Sequence, residues 1–343
     1  MSQFRLLIAI FVAVAFAPFA MAEDPAAKGE VVIYTALDRE FSEPILKEFE
    51  KKTGIEVRAQ YDSESVKTVG LVNRMLAERA RPRADVLWNN EILRSIQLKK
   101  EGLTAAYDSP SAKDIPAAMK DADHHWTGFA ARARIIMVNK KLLPDESQWP
   151  KSVADIIDPK WKGRAAIARP LFGTTSTHAA VIWANAGEAK AQEFWSAVIA
   201  NAILVSGNAQ ARDAAASGEA AWCLTDTDDA HGAIEDGAPV AIIYPKEDVG
   251  AKGALLIPNT LVLLKDSPNQ ENGKKLIDYL LSREVEQGLA ELRSAQIPVR
   301  SDLKPPSGIP TLSTGDIMPV DWQKAYEAIA PSSAWLQKQL ADK

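Results

Sequence analysis

Residues 31–57, which read VVIYTALDREFSEPILKEFEKKTGIEV, contain the strand-helix-strand pattern from which the fold can be inferred. Residues 31–34 are few, apolar and mostly β-branched, which predicts a buried strand. We expect Ser42 to cap the following helix and Gly54 to end it, because glycine tolerates the left-handed conformation of a helix end. The apolar face of that helix is formed by Ile45, Leu46 and Phe49. Such a unit is typical of an α/β protein with a parallel sheet.

The same alternation continues along the chain and predicts an α/β fold throughout. Further strands are predicted at residues 55–59, 85–88, 134–138, 165–168, 202–205, 220–224, 240–244 and 261–264. Further helices are predicted around residues 69–76, 91–100, 176–185, 209–216, 229–235 and 276–281. Residues 1–22 are predicted below to be a cleaved leader. Roughly 320 residues then remain, which is too many for one ordinary core, so we expect two domains. The last strand and helix resemble the first units, so the chain is expected to cross between the domains more than once.

The N-terminus has the pattern of a secretory signal peptide. Arg5 precedes an apolar run over residues 6–17, and Ala20-Met21-Ala22 has the small-x-small pattern of a cleavage site. About 12 apolar residues are too few to cross a hydrocarbon core, which needs roughly 20 in a helix. We therefore predict that residues 1–22 are a cleaved signal peptide and that the mature protein is exported.

Charge and cysteine content argue against a nucleic-acid-binding protein and against a fold stabilised by disulfides. Lysine and arginine total 40 and aspartate and glutamate 45, so no excess of basic residues is present for nucleic-acid binding. Cys223 is the only cysteine, so no intramolecular disulfide can form. Since Cys223 lies in an apolar stretch, we expect a small buried side chain rather than a nucleophile.

An apolar strand at residues 220–224 runs into three carboxylates, Asp226, Asp228 and Asp229. Carboxylates this close raise one another's pKa, so a positive group is expected nearby. Open α/β sheets bind ligands at the carboxyl ends of their strands, which favours a binding role for this cluster. The alternative is a solvated loop in which Thr227 or Asp228 caps the next helix.

Two further groups of residues favour anions. Arg132 and Arg134 alternate on a predicted strand, so both can point to one side and form an anion clamp. Gly173, Thr174 and Thr175 precede a predicted helix, whose N-terminus attracts anions. The alternatives are two surface arginines and a plain helix cap.

Enzyme motifs find little support in this sequence. Asp226-x-Asp228 resembles a phosphoaspartate nucleophile with its acid partner, but Ala230 stands where threonine or valine is expected. An EF-hand loop fails because Ala230 and His231 occupy positions that need an oxygen ligand and a glycine. The four histidines lack zinc-binding spacing, and neither a nucleophile elbow nor a P-loop is present. We expect no catalytic residue and no catalytic cofactor, and an exported phosphate-ester hydrolase remains the enzymatic alternative.

Five motifs carry a resemblance to a known family. They are Phe49-Glu50-x-x-Thr53-Gly54-Ile55-x-Val57, Ala84-Asp85-Val86, Ala131-Arg132-x-Arg134, Asp158-Pro159-x-Trp161-Lys162-Gly163 and Gly218-Glu219. Through them the chain resembles the periplasmic solute-binding proteins of ABC importers, in particular the ferric-ion-binding group. The resemblance implies a two-lobed α/β fold of type II, with crossover hinge strands and a ligand trapped between the lobes. It implies a first lobe of residues 29–131 plus 259–312 and a second lobe of residues 132–258 plus 313–343.

The resemblance also implies where a ligand would bind. Iron-binding members use a histidine, a glutamate and two consecutive tyrosines, and the matching positions here are Asp38, Glu91 and Thr227-Asp228. Asp38, Glu91, Asp226 and Asp228 would still offer hard oxygen donors to a hard cation. Since the tyrosines are missing, we expect no phenolate-to-iron colour.

Two ligands fit these residues. In the first reading, Fe3+ binds the carboxylates, and a synergistic anion binds Arg132, Arg134 and the segment Gly173-Thr174-Thr175. In the second, an organic anion such as a phosphorylated or phosphonate compound binds the arginines, and its hydroxyls or amine meet the aspartates. The family implies a periplasmic monomer that delivers its ligand to a separate membrane permease and ATPase. An exported structural protein that binds no small molecule is a third class.

Overall fold

The computed structural model describes residues 29–62, 69–311 and 314–341, so the predicted signal peptide, residues 1–22, lies outside the described residues. The strands are β1 (Glu30–Thr35), β2 (Glu56–Tyr61), β3 (Val86–Asn89), β4 (Thr104–Ala105), β5 (Thr127–Asn139), β6 (Ala165–Ala168), β7 (Ile203–Val205), β8 (Trp222–Asp226), β9 (Val240–Ile243), β10 (Glu247–Asp248), β11 (Ala251–Lys252) and β12 (Leu256–Leu264). The helices are α1 (Arg39–Thr53), α2 (Val69–Ala77), α3 (Leu93–Lys100), α4 (Gly173–Ala186), α5 (Glu188–Asn201), α6 (Asn208–Ser217), α7 (Thr227–Glu235), α8 (Gln270–Leu280), α9 (Arg283–Glu291) and α10 (Trp322–Ala341). Over these ranges, none of the helices has the length and apolarity that crossing a membrane requires.

The first lobe is built on the parallel unit that the sequence predicts. Strand β1 pairs in parallel with β2 and with β3, and β12 joins β3 in the antiparallel direction. Helices α1 and α8 pack beside these strands, where they bury apolar side chains including Ile33, Phe49, Trp88 and Leu276. The predicted α/β organisation of this region is confirmed.

The second lobe has a mixed sheet in the order β5-β8-β6-β7, with β9 on the other side of β5. Strand β8 runs antiparallel to β5 and parallel to β6, so the carboxyl end of β8 lies at the same edge as the carboxyl end of β6. Helices α4 and α5 pack on a core that contains Trp195 and Trp222. C-terminal helix α10 packs against α4.

Two long strands pass from one lobe to the other. Strand β5 pairs with β12 over its first half and with β8 and β9 over its second half. The ladder between β5 and β12 shifts register between Pro258 and Asn259, and Ala130 has a φ of 41°. The predicted lobe boundaries 131/132 and 258/259 fall in this crossing region, and the boundary 312/313 lies outside the described residues. These boundaries stay a prediction.

The two ends of helix α1 differ in how well they were predicted from sequence. It begins at Arg39, so the prediction that Ser42 caps it is wrong. The Ser42 hydroxyl instead donates to the carbonyl oxygens of Leu37 and Asp38, a local bond that a residue inside the first helical turn can make. Gly54 ends the helix as predicted, with a φ of 73° and its N–H donating to the Glu50 carbonyl at 2.7 Å.

Candidate functional site

A cavity of about 480 Å³ lies between the two lobes. Within the predicted lobe bounds, the first lobe contributes five residues to its lining, Asp38, Glu40, Phe41, Asn90 and Arg293. Most of the remaining lining comes from the second lobe and includes Arg132, Gly173, Thr174, Thr175, Asn208, Asp226, Asp228 and Asp229. Seven of the ten residues predicted from sequence therefore share one cavity. The other three, Glu91, Arg134 and Thr227, are buried beside it.

The acidic cluster lies where β8 ends and α7 begins. Asp226, Asp228 and Asp229 each place a carboxylate oxygen within 4.8 Å of the others, which is close enough for one metal ion to bind all three. Burial, followed by the charges of Asp228 and Asp226, raises the pKa of Asp229 to about 8. Asp229 was not among the predicted site residues, although it stands in the carboxylate run from which the site was inferred.

Asp226 is held by three donors from different parts of the second lobe. Arg134 lies opposite Asp226 in the pairing of β5 with β8, and its Nη1 donates to Asp226 Oδ1 at 2.8 Å. Asp226 Oδ2 accepts from the Thr174 hydroxyl at 2.5 Å and from Asn208 Nδ2 at 2.9 Å. Arg134 is thus a positive partner of the cluster, as the carboxylate run predicts.

Arg132 is buried but only loosely engaged by the protein. Its side chain is 5% exposed, and its Nη1 lies 3.5 Å from Asp228 Oδ2. Its Nη2 lies 3.5 Å from Asn259 Oδ1, and within the described ranges its Nε has no hydrogen-bond partner. Burial lowers the pKa of Arg132, but attraction to Asp228 and Asp226 outweighs that effect and raises it overall. A charged guanidinium with unused donors therefore lines the cavity.

The N-terminus of α4 forms the neighbouring wall. Gly173, with a φ of 56°, begins the helix, and the Thr175 hydroxyl donates to Asn208 Oδ1 at 3.0 Å. Asn208 Nδ2 also donates to Thr174 Oγ1 at 2.9 Å. Sequence reasoning missed Asn208, because its only signal is its position at the start of α6, 18 residues before Asp226.

Glu91 has a complete set of protein partners. Its oxygens accept from the backbone N–H groups of Leu93 at 2.6 Å and Arg94 at 3.0 Å. They also accept from the side chains of Asn89 at 3.0 Å and Thr177 at 3.1 Å. These bonds order the first turn of α3, which begins at Leu93 rather than at the predicted residue 91, and they connect the two lobes. A ligand role for Glu91 stays a prediction.

Thr227, the first residue of α7, is 0% exposed, and its hydroxyl accepts from the backbone N–H of Ala133. This bond joins α7 to the crossing strand β5. A ligand role for Thr227 stays a prediction.

The mouth of the cavity carries charges that sequence reasoning missed. Arg169, Arg212 and Arg293 line it together with Glu40 and Asp236. Arg293 Nη2 donates to Asp236 Oδ2 at 2.6 Å. The part of the lining that the structure describes contains no tyrosine and no histidine. The cavity therefore combines carboxylates and guanidinium groups, with hydroxyl and amide groups between them.

Comparisons with a family model and with individual proteins show which family this chain resembles. A family model described as bacterial extracellular solute-binding protein matches residues 95–328. The chain is 27% identical over 285 residues to iron uptake protein A1 of Synechocystis, covering 79% of this chain and 76% of that protein. It is 28% identical over 298 residues to a Salmonella typhimurium protein described as a 2-aminoethylphosphonate-binding periplasmic protein, covering 83% and 82%.

A solved structure shows the same fold. Iron-bound HitA from Pseudomonas aeruginosa superposes with a TM-score of 0.81, and the match covers 90% of this chain and 98% of that one. The sequence identity in this match is 23%. The two-lobed α/β fold predicted from sequence is confirmed.

Proposed function

This chain belongs to the family of bacterial extracellular solute-binding proteins, and we propose that it captures ferric iron together with a synergistic anion for an ABC importer. It would act in the periplasm after its leader is removed, as a monomer, and would deliver its ligand to a separate permease and ATPase. Support comes from the relatives, one of which is an iron uptake protein, and from the predicted signal peptide.

The observation that carries the proposal is the convergence of three carboxylates within 4.8 Å at the floor of the cavity. Like charges at this distance favour a cation among them, and carboxylate oxygens are hard donors suited to a hard cation. Asp226 already accepts three hydrogen bonds, so Asp228 would supply negative charge directly, and Asp229, whose pKa is about 8, would do so once the cation displaces its proton. Asp38 approaches from the first lobe and would add a fourth oxygen donor.

Arg132 gives a second candidate ligand its own support. A buried guanidinium whose Nε has no hydrogen-bond partner in the part of the chain that the structure describes is suited to a phosphonate or phosphate group, which the N-terminus of α4 would also attract. The ammonium group of an aminophosphonate would then occupy the carboxylate cluster. One relative is described as binding 2-aminoethylphosphonate, which is a molecule of this kind.

Binding rather than catalysis is the role that the geometry favours. Asp226, the candidate phosphoaspartate nucleophile, has three donors on its two oxygens, which lowers its nucleophilicity. Cys223 is buried, and burial raises the pKa of its thiol, so it stays protonated. Turnover of phosphate esters that disappears in Asp226→Asn would restore the hydrolase alternative.

In the proposed mechanism, a ligand held by one lobe completes its contacts only when the other lobe closes over it. To convert an ensemble that is 99% open into one that is 99% closed takes about 5.5 kcal/mol of differential binding. A few charge-assisted hydrogen bonds, donated by Arg132 and accepted by Asp38, are of that size. The permease would then recognise the closed form.

The deciding experiment is native mass spectrometry with elemental analysis of the protein as purified. Bound iron with a small anion supports the first candidate, and an organic mass without metal supports the second. Protein that retains no ligand should then be titrated with Fe3+ plus phosphate and with 2-aminoethylphosphonate. If neither binds, the proposed function is wrong.

A further inference from the structure

We propose that this cavity selects ligands that bring their own hydrogen-bond donors, and that it therefore prefers a protonated anion such as hydrogenphosphate over the unprotonated sulfate. The inference rests on the proposed function in one respect, because it requires an anion in this cavity. It applies equally to a synergistic anion beside a metal and to an organic phosphonate.

The hydrogen bonds around Asp226 fix which groups of the cavity donate protons and which accept them. The Asp226 carboxylate is paired with Arg134 at 2.8 Å, and in its charged form it has only acceptor atoms. The Thr174 hydroxyl, 2.5 Å from Asp226 Oδ2, must therefore donate its single proton to that carboxylate, so this proton is not available to a ligand. The Thr175 hydroxyl likewise donates its proton, to Asn208 Oδ1 at 3.0 Å.

Both threonines consequently present lone pairs to the cavity instead of protons. A hydroxyl has one donor and two acceptor sites. Thr174 uses its proton on Asp226 and one lone pair on Asn208 Nδ2, which leaves one acceptor site. Thr175 uses its proton in the hydrogen bond to Asn208 Oδ1. Because each hydroxyl is oriented by a partner on another element, neither can turn its proton toward a ligand without breaking a bond.

An amide oxygen from the first lobe also needs a donor from the ligand. Asn90, from the first lobe, lines the cavity and is 2% exposed, and over the described residues its Oδ1 has no hydrogen-bond partner. A buried acceptor of this kind is costly unless a ligand donates to it. Donors for the oxygens of an anion come from Arg132, whose Nε has no hydrogen-bond partner among the described residues, and from the other guanidinium groups of the lining. An acceptable ligand therefore needs acceptor oxygens for Arg132 and at least one proton for Thr174, Thr175 or Asn90.

Hydrogenphosphate and a protonated phosphonate meet both requirements, whereas sulfate at neutral pH carries no proton. The oxygens of sulfate would face the acceptor atoms of Thr174, Thr175 and Asn90 with no proton between them. We expect inorganic phosphate to bind at least about 10-fold more tightly than sulfate, which corresponds to about 1.4 kcal/mol. An ammonium or hydroxyl group elsewhere on an organic ligand would serve the same acceptors.

The test is isothermal titration calorimetry of the mature protein with inorganic phosphate and with sulfate at neutral pH, without added metal. In Thr174→Val, phosphate should bind about 5-fold more weakly because it loses an acceptor, and sulfate should bind no more weakly than before. In Thr174→Ser, which keeps the hydroxyl, both affinities should be retained. Asp145→Asn, which changes one exposed carboxylate outside the cavity lining, is the matched control and should also retain both.

A gain of function provides a second measurement in case the valine variant does not fold. Asn208→Ala removes the acceptor for Thr175, so the Thr175 proton becomes available to the cavity, and sulfate should bind more tightly than in the wild type. If wild-type protein binds sulfate as tightly as phosphate, the inference is overturned while the proposed function stands. If Thr174→Val weakens both anions equally, the hydroxyl donates to the anion and the inference is also overturned. If the wild type binds no phosphate, the inference fails, and the metal analysis tests the proposed function separately.

Discussion

Replacement of Arg134 by methionine should destabilise the protein by about 3 kcal/mol. The side chains of Arg134 and Asp226 are 1% and 2% exposed, and they form an ion pair at 2.8 Å. Methionine has a similar length and no charge, so the substitution leaves the Asp226 carboxylate buried without its cation.

The structure places this loss at the lower end of the usual range. Removal of one partner of a buried ion pair typically costs about 3–5 kcal/mol. Asp226 would retain its hydrogen bonds from Thr174 and Asn208, which soften the loss. The substitution also removes two Arg134 nitrogens, Nε and Nη2, that are buried without hydrogen-bond partners in the described chain.

Urea unfolding followed by tryptophan fluorescence would measure this free energy, and an unchanged m-value would show that the loss is one of stability. Arg39→Met removes an exposed partner of Glu43 and should leave the unfolding midpoint unchanged. The double variant Arg134→Met with Asp226→Leu should recover most of the loss, since no charge is then left unpaired. A loss below about 1 kcal/mol in Arg134→Met would refute the view that Arg134 neutralises Asp226.

Four further predictions concern the hinge, the acidic cluster and the ligand. The Glu286 carboxylate, 0% exposed, accepts from the backbone N–H of Ala130 and pairs with Arg300, so Glu286→Gln should lower stability by about 2 kcal/mol in urea unfolding. The pKa of Asp229 is raised from 3.8 to about 8, so the folded state holds a proton that the unfolded state releases, and stability should fall as pH rises through this window. Unfolding of Asp229→Asn should lack this pH dependence, and an identical profile would contradict the assignment. Added Fe3+ should give no strong visible phenolate band, because the described lining has no tyrosine. X-ray scattering should show a smaller radius of gyration with saturating ligand, and no change at proven saturation would contradict closure.

Much of the fold could be read from local patterns. The strand at residues 31–34, the apolar face of α1 and the stop at Gly54 depend on neighbours in sequence, and all are present. Prediction failed where burial comes from distant segments. Strand β5 begins at Thr127 instead of the predicted residue 134, because its first half pairs with β12, more than 120 residues away along the chain.

The candidate site shows the same division between local and distant information. The sequence by itself determined that carboxylates lie at the end of β8, that arginines alternate on β5 and that a glycine and two threonines lie at the N-terminal end of a helix, because each of these groups is contiguous. The structure moves the start of that helix, α4, from the predicted residue 176 to Gly173. Only the tertiary structure decided that Arg134 lies behind Asp226, that Asn208 orients both threonine hydroxyls, and that Glu91 is occupied by protein donors. The physical reason is that the direction and availability of a hydrogen bond depend on partners from other strands and helices, which chain folding brings within 3 Å.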